Sequence, residues 1–71
     1  MKLSIPSYAI QANSQPLYYS EKEIDTGNIE GIYKTTCKDL WFIKMKAGFA
    51  TSDTYTNIDS IVNIFVALKN D

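Results

Sequence analysis

Cys37 is the only cysteine in the chain, and there is no histidine. For 71 residues this is a severe constraint. A domain of this size buries only roughly 60% of its unfolded surface, and small domains commonly add disulfides, a metal or a partner subunit. One cysteine cannot close an internal disulfide. One cysteine without histidine cannot assemble a Cys/His zinc site. Good packing, or association, must therefore hold the chain. The material for packing is present: 45% of residues are hydrophobic and nine are aromatic, which fits an ordered globule rather than a disordered segment. The length fits one domain over residues 1–71.

Turn chemistry points to a sheet. Asp25-Thr26-Gly27 and Lys46-Ala47-Gly48 both end in glycine between apolar or alternating segments. That suits a type I turn followed by a left-handed glycine, a common three-residue hairpin loop. The first loop sets Ile24 opposite Asn28, Lys22 opposite Glu30 and Tyr19 opposite Tyr33, giving favourable charge and aromatic pairs. The second sets Met45 opposite Phe49 and Ile43 opposite Thr51. Trp41, Ile43 and Met45 then share a face with Phe49, Thr51 and Tyr55. Strands are expected at 17–24, 29–36, 40–45 and 49–55. A further strand near 2–11 carries Pro6, which confines it to an edge or a bulge. Ile29, Ile32, Tyr33, Thr36 and Cys37 also fit helical spacing. The strand is kept there because Thr35, Thr36 and Cys37 are poor helix formers.

Thr56 or Asn57 can cap a C-terminal helix, with Asp59 in its first turn and Lys69 in its last. Ile58, Ile61, Val62, Phe65 and Leu68 follow at helical spacing, and Ile64 and Val66 widen the apolar face. Two readings fit that width: a helix wedged deep against the sheet, or one touching both sheet and partner. The expected fold class is α+β: an antiparallel β-meander of four to five strands with one C-terminal helix packed on one face.

Few groups can do chemistry. General acid–base work at neutral pH most often uses histidine, and Ser–His or Cys–His pairs cannot be built without it. Cys37 reads as a small core residue. Glycines stand only at 27, 31 and 48, so no phosphate-cradling loop is present. Asp53 and Asp59 lack the glycine and terminal glutamate of a calcium loop. No enzyme activity, cofactor or metal is expected.

The net charge is −1 and arginine is absent, which weakens a nucleic-acid role. Charge is unevenly distributed. Glu21, Glu23 and Asp25 form an acidic strip, read either as a solvated edge that discourages strand addition or as a contact patch. Lys34, Lys38, Lys44 and Lys46 cluster in the centre. Alternation turns Trp41, Ile43 and Met45 inward, and Leu40 and Phe42 outward with Lys44 and Lys46. A lysine-rimmed apolar patch results, either open as a binding site or covered by the N-terminal strand and its loop with Tyr8, Ile10, Leu17 and Tyr18. The N-terminal residues lack the apolar stretch of a signal peptide. The longest apolar run, Ile64–Leu68, is too short to cross a bilayer. A cytoplasmic location is expected.

Three functions fit. One is a non-enzymatic protein-binding module, for which surface tyrosines give contact area at low entropy cost. Another is a single-strand nucleic-acid binder that stacks bases on Trp41, Phe42 or tyrosines beside lysines. The third is a structural homodimer joined through Ile64 and Val66 or an edge strand.

The segment FATSDTYTNIDSIVNIFVALKND, residues 49–71, reads as strand, cap and helix. It resembles the strand-to-helix segment of small phage-encoded anti-CRISPR proteins, over about a third of the chain. The resemblance implies a compact inhibitor in a bacterial host cytoplasm that binds a Cas effector and blocks its nucleic-acid or PAM surface. On that reading Glu21, Glu23 and Asp25 mimic phosphate against a basic groove. Alternatively, Lys34, Lys44 and Lys46 grip an acidic surface.

Overall fold

The computed structural model describes residues 1–11 and 16–70. Five antiparallel strands form one sheet: β1 (Lys2–Ile10), β2 (Pro16–Asp25), β3 (Ile29–Lys34), β4 (Leu40–Met45) and β5 (Thr54–Asn57). One helix, α1 (Ile58–Asn70), follows β5 without a linker. Short 3-10 turns occupy Thr26–Asn28 and Ala50–Ser52. The class is α+β, as expected.

The strand order is β2-β1-β5-β4-β3. The expected hairpin between β2 and β3 does not form, and those strands are the two edges of the sheet. β2 pairs with β1, placing Ile24 opposite Leu3 and Lys22 opposite Ile5. β3 pairs with β4, placing Ile32 opposite Ile43. Magnitudes explain the choice. A cross-strand charge or aromatic pair is worth about 0.2–1 kcal/mol, whereas fully burying an isoleucine is worth about 1.5–3 kcal/mol. The observed pairing buries Ile5 and Ile24 together in the core, and Glu30 finds Lys44 instead of Lys22, at 3.2 Å.

The second loop is longer than expected. The tight turn begins as predicted, with Phe49 N–H donating to the Lys46 carbonyl at 2.9 Å and Gly48 at φ 94°. The chain then coils through further turn bonds, Ser52 N–H to Phe49 and Asp53 N–H to Ala50. Asp53 Oδ1 takes the Met45 N–H at 2.7 Å. β5 therefore starts at Thr54, and Ile43 faces Thr54 rather than Thr51. Tyr55 consequently faces Phe42, on the side away from Ile43. Residues 35–39 form a turn tied by Thr35, whose Oγ1 accepts from Cys37 N–H at 3.2 Å and donates to the Leu40 carbonyl at 2.8 Å. In β1 the register shifts between Ser7 and Tyr8, one residue after Pro6.

The order of strands forces the sheet to curl. In a flat five-stranded sheet the edge strands lie about 19 Å apart. Asp25 and Ile29 are four residues apart and span at most about 14 Å when extended, less through a 3-10 turn. The edges must therefore approach each other at this end. The turn between them ties into both flanking ladders: Thr26 N–H extends the β1–β2 pairing to the Met1 carbonyl at 2.8 Å, and Lys46 N–H extends the β3–β4 pairing to that of Asn28 at 2.7 Å. Lys22 Nζ crosses to the carbonyls of Thr51 and Asp53 at 3.0 and 3.2 Å.

The helix fills the concave side. Ile5, Ile24, Ile43 and Met45 meet Ile61 and Ile64 there, and Leu3, Ile29, Ile32 and Trp41 pack round them. Trp41 thus braces the core, as expected from its inward parity. Asn57 caps α1 by accepting Ser60 N–H at 2.8 Å. The buried arc of the helix is Ser60, Ile61, Ile64 and Ala67. The expected stripe is therefore corrected: Ile64 is fully buried, whereas Val62 and Phe65 stand more than half exposed. Apolar side chains run almost all round this helix, so periodicity alone could not select the inward arc.

One buried group lacks compensation. Thr56 is fully buried, and its Oγ1 has no hydrogen-bond partner among the described residues. Leaving such a hydroxyl unpaired costs roughly 1–3 kcal/mol. Thr56→Val keeps the shape and suits a strand. It should raise the urea-derived unfolding free energy by about 1 kcal/mol. A decrease would mean that the hydroxyl is satisfied in solution.

Candidate functional site

The convex face of the sheet carries one aromatic side chain per strand, in a single row. Tyr18 on β2 pairs with Tyr8 on β1. Tyr8 pairs with Tyr55 on β5, Tyr55 with Phe42 on β4, and Phe42 with Tyr33 on β3. Directly opposed residues share a face, so all five project away from α1. The Tyr8 and Tyr18 rings meet edge-on at 6.0 Å, and those of Phe42 and Tyr55 lie tilted at 5.1 Å. The three central residues are half-buried, while Tyr18 and Tyr33 are each 53% exposed.

Two local devices set the row. The register shift in the first hairpin pairs Ser7 with Ser20 but Tyr8 with Tyr18, leaving Tyr19 as the extra residue. Such a bulge re-aims the side chains beyond it. Without it, Tyr19 rather than Tyr18 would stand beside Tyr8. On β3, the Tyr33 ring lies across Gly31. A Cβ at residue 31 would stand 2.6 Å from the Tyr33 hydroxyl and 2.8–2.9 Å from its ring. Glycine here lets the ring rest on the backbone.

Charged groups flank the row. Lys44 pairs with Glu30 at 3.2 Å, and this hydrogen-bonded partner raises the pKa of the lysine above its ordinary value. Glu21 and Glu23 lie towards the β2 edge. Ser4 Oγ donates to Glu21 at 3.2 Å, and Lys2 stands 3.9 Å from Glu23. The rim therefore carries both signs.

The expected site residues separate accordingly. Tyr18, Phe42 and Lys44 come together on the convex face, with Glu21 and Glu23 beside them. Leu40 does not join them. It is only 2% exposed where the 35–39 turn closes. Its parity is that of Phe42, but it is buried beside the turn rather than open to solvent. Lys34 stands opposite Trp41, so it follows the concave parity. Lys38 lies exposed in the 35–39 turn, and Lys46 is exposed just beyond β4. The four lysines do not form one cluster. Tyr8 and Tyr18 extend the patch sideways instead of covering it. Tyr8, Tyr55 and Tyr33 are the members that the sequence reading did not assign to the site. Their membership depends on which strands are neighbours, and no local pattern carries that information.

Asp25 serves the turn between β2 and β3. Its Oδ1 accepts Gly27 N–H at 3.0 Å and lies 3.3 Å from the Met1 ammonium. An open depression of about 320 Å³ lies beside it, lined in part by Ile24, Asn28, Met45 and Phe49. Among the described residues no cluster of acidic, cysteine or histidine side chains could hold a metal. No helix there is long and apolar enough to cross a membrane. No protein family, curated protein or solved structure gives a significant match to this chain.

The Gly27 amide, then the Met1 ammonium, hold the Asp25 carboxyl below its ordinary pKa. A depressed folded-state pKa adds stability above the unfolded-state value, and the gain is lost as pH falls through the folded value. The stability gap between wild type and Asp25→Asn should be full above about pH 5 and shrink below about pH 4. Urea unfolding across that range measures it. A gap independent of pH would mean that the carboxylate does not hold the turn and the Met1 ammonium.

Proposed function

We propose that this chain is a non-enzymatic protein-binding module whose working surface is the convex aromatic row. The observation that carries this reading is the in-register line of Tyr18, Tyr8, Tyr55, Phe42 and Tyr33 across all five strands. Aromatic side chains on a rigid sheet give a large contact area that loses little rotamer freedom on binding. Tyrosine and phenylalanine are enriched where protein partners dock.

Charge favours a protein over nucleic acid. Nucleic-acid affinity depends on lysine and arginine neutralising phosphates. Here Lys44 is engaged by Glu30, and Glu21 and Glu23 stand on the same face. The rings also pack edge-on or tilted against each other, which leaves less open ring face for stacked bases.

The resemblance of residues 49–71 extends this reading to a phage or mobile-element inhibitor. It would act in the host cytoplasm by covering the working surface of a CRISPR-Cas-type complex. Tyr55, at the centre of the row, belongs to that segment. The mixed rim would then meet mixed charge on the effector, with Glu21 and Glu23 at one end and Lys44 near the other.

A Tyr18→Ser/Tyr33→Ser variant tests the reading, because both residues are exposed on edge strands and the variant should fold. Tagged wild type should retain a stoichiometric protein partner from nuclease-treated bacterial lysate. The variant should bind that partner at least about tenfold more weakly, the loss expected for two contact tyrosines. Undiminished binding by the variant would contradict the proposal, as would recovery of nucleic acid or of the bait alone.

A further inference from the structure

We infer that the outward face of α1 docks a second copy of this chain, antiparallel about a two-fold axis at the level of Ile64. This inference is independent of the reading of the sheet face. It corrects the expected homodimer contact, since Ile64 is fully buried in the core and cannot meet a partner.

The helix leaves a second apolar face. Side chains advance about 100° per residue. Val62 therefore points almost directly away from the buried arc centred on Ile61, Ile64 and Ala67. Ile58, Phe65 and Val66 flank Val62, and these four expose 38–55% of their surface. Leu68 lies about 120° from Val62, towards the inner arc. At roughly 200 Å² per large side chain, the four present roughly 400 Å² of apolar area on each copy. Two copies would remove about 800 Å² from water, the size of a weak, transient interface. A second copy is therefore an occupant of matching size, and the association should be weak.

The charge pattern is self-complementary. Asp59 lies in the first turn of α1 and Lys69 in its last. The two are equidistant from residue 64, as are Val62 and Val66. A two-fold axis at that level sets Val62 against Val66 of the other copy, and Asp59 against its Lys69. The Phe65 rings meet near the axis. Asp59, Val62, Val66 and Lys69 are spaced by three, four and three residues, which places them on one helix face with the valines central and the charges at its ends. In parallel alignment each charge would meet its like, so the pattern selects the antiparallel arrangement.

Analytical ultracentrifugation tests this. Wild type should rise towards twice the 8.0 kDa mass of one chain as concentration approaches about 1 mM, as a weak interface requires. Val62→Glu places a charge at the centre of the interface in both copies and should weaken association at least about 100-fold. Asp59→Lys sets lysine against Lys69 twice and should weaken it about tenfold. Adding Lys69→Asp should restore association. That rescue separates pairing from helix stability, because reversing both charges is worse for the helix dipole. Circular dichroism establishes that each variant is folded. Several results would overturn the inference: a wild type that stays monomeric to about 1 mM, a dimer indifferent to Val62→Glu, or no rescue by the double reversal. A dimer lost in Tyr18→Ser/Tyr33→Ser but kept in Val62→Glu would move the interface to the sheet and also overturn it.

Discussion

Among the described residues, a single strand pairing joins the two halves of the sheet. β1 and β2 form one half, and β3, β4 and β5 the other. Among the described residues, Tyr8 opposite Tyr55 is the one strand pairing between them. Side chains reinforce the junction. Ser7 Oγ and Thr54 Oγ1 lie 2.7 Å apart, and Asn57 Nδ2 donates to the Tyr8 hydroxyl at 3.2 Å. Beneath it, Ile5 and Ile24 from one half meet Ile43 and Met45 from the other through Ile61 and Ile64 of α1. With no internal disulfide to close the fold, this contact and the turn between β2 and β3 must hold the halves together. A net hydrogen bond is worth about 1 kcal/mol, whereas each buried isoleucine is worth more. The helix in the concave face is therefore the larger part of the join.

The same junction makes the candidate site. Each half contributes part of the aromatic row: Tyr18 and Tyr8 from one, Tyr55, Phe42 and Tyr33 from the other. Neither part would be an extended surface alone. Joining the halves at Tyr8 and Tyr55 aligns five rings, and the bulge at Tyr19 brings Tyr18 into line. A small domain thus presents a broad aromatic face. The helix that unites the halves spends its inner arc on the core and keeps a second apolar arc outside. The molecule consequently exposes two apolar faces on opposite sides, one aromatic and one aliphatic.

Local chemistry made much of the fold legible in the sequence. Asn57 as cap, Asp59 and Lys69 at the helix ends, the inward parity of Trp41, Ile43 and Met45, and the burial of Cys37 all follow from short-range rules. Neighbour choice did not. The Asp25-Thr26-Gly27 turn permits a hairpin, and Lys22 with Glu30 would have suited one. Burial of Ile5 and Ile24 against α1 outweighs both, and that gain exists only in the complete fold. Asp53 similarly alters its loop by taking the Met45 amide, a contact eight residues away. The site inherits the same limit. Phe42 and Tyr18 were readable as outward residues one strand at a time. Tyr8, Tyr55 and Tyr33 join them only once the strand order is known, and Leu40 leaves the patch because the Thr35-centred turn closes beside it.

The most direct test is solution NMR of the aromatic side chains, read as through-space contacts. Contacts from Tyr18 to Tyr8, Tyr8 to Tyr55, Tyr55 to Phe42 and Phe42 to Tyr33 would establish the strand order and the row together. A contact between Tyr19 and Tyr33, with none between Tyr8 and Tyr55, would mean that β2 pairs with β3. The row, and the surface built on it, would then not exist.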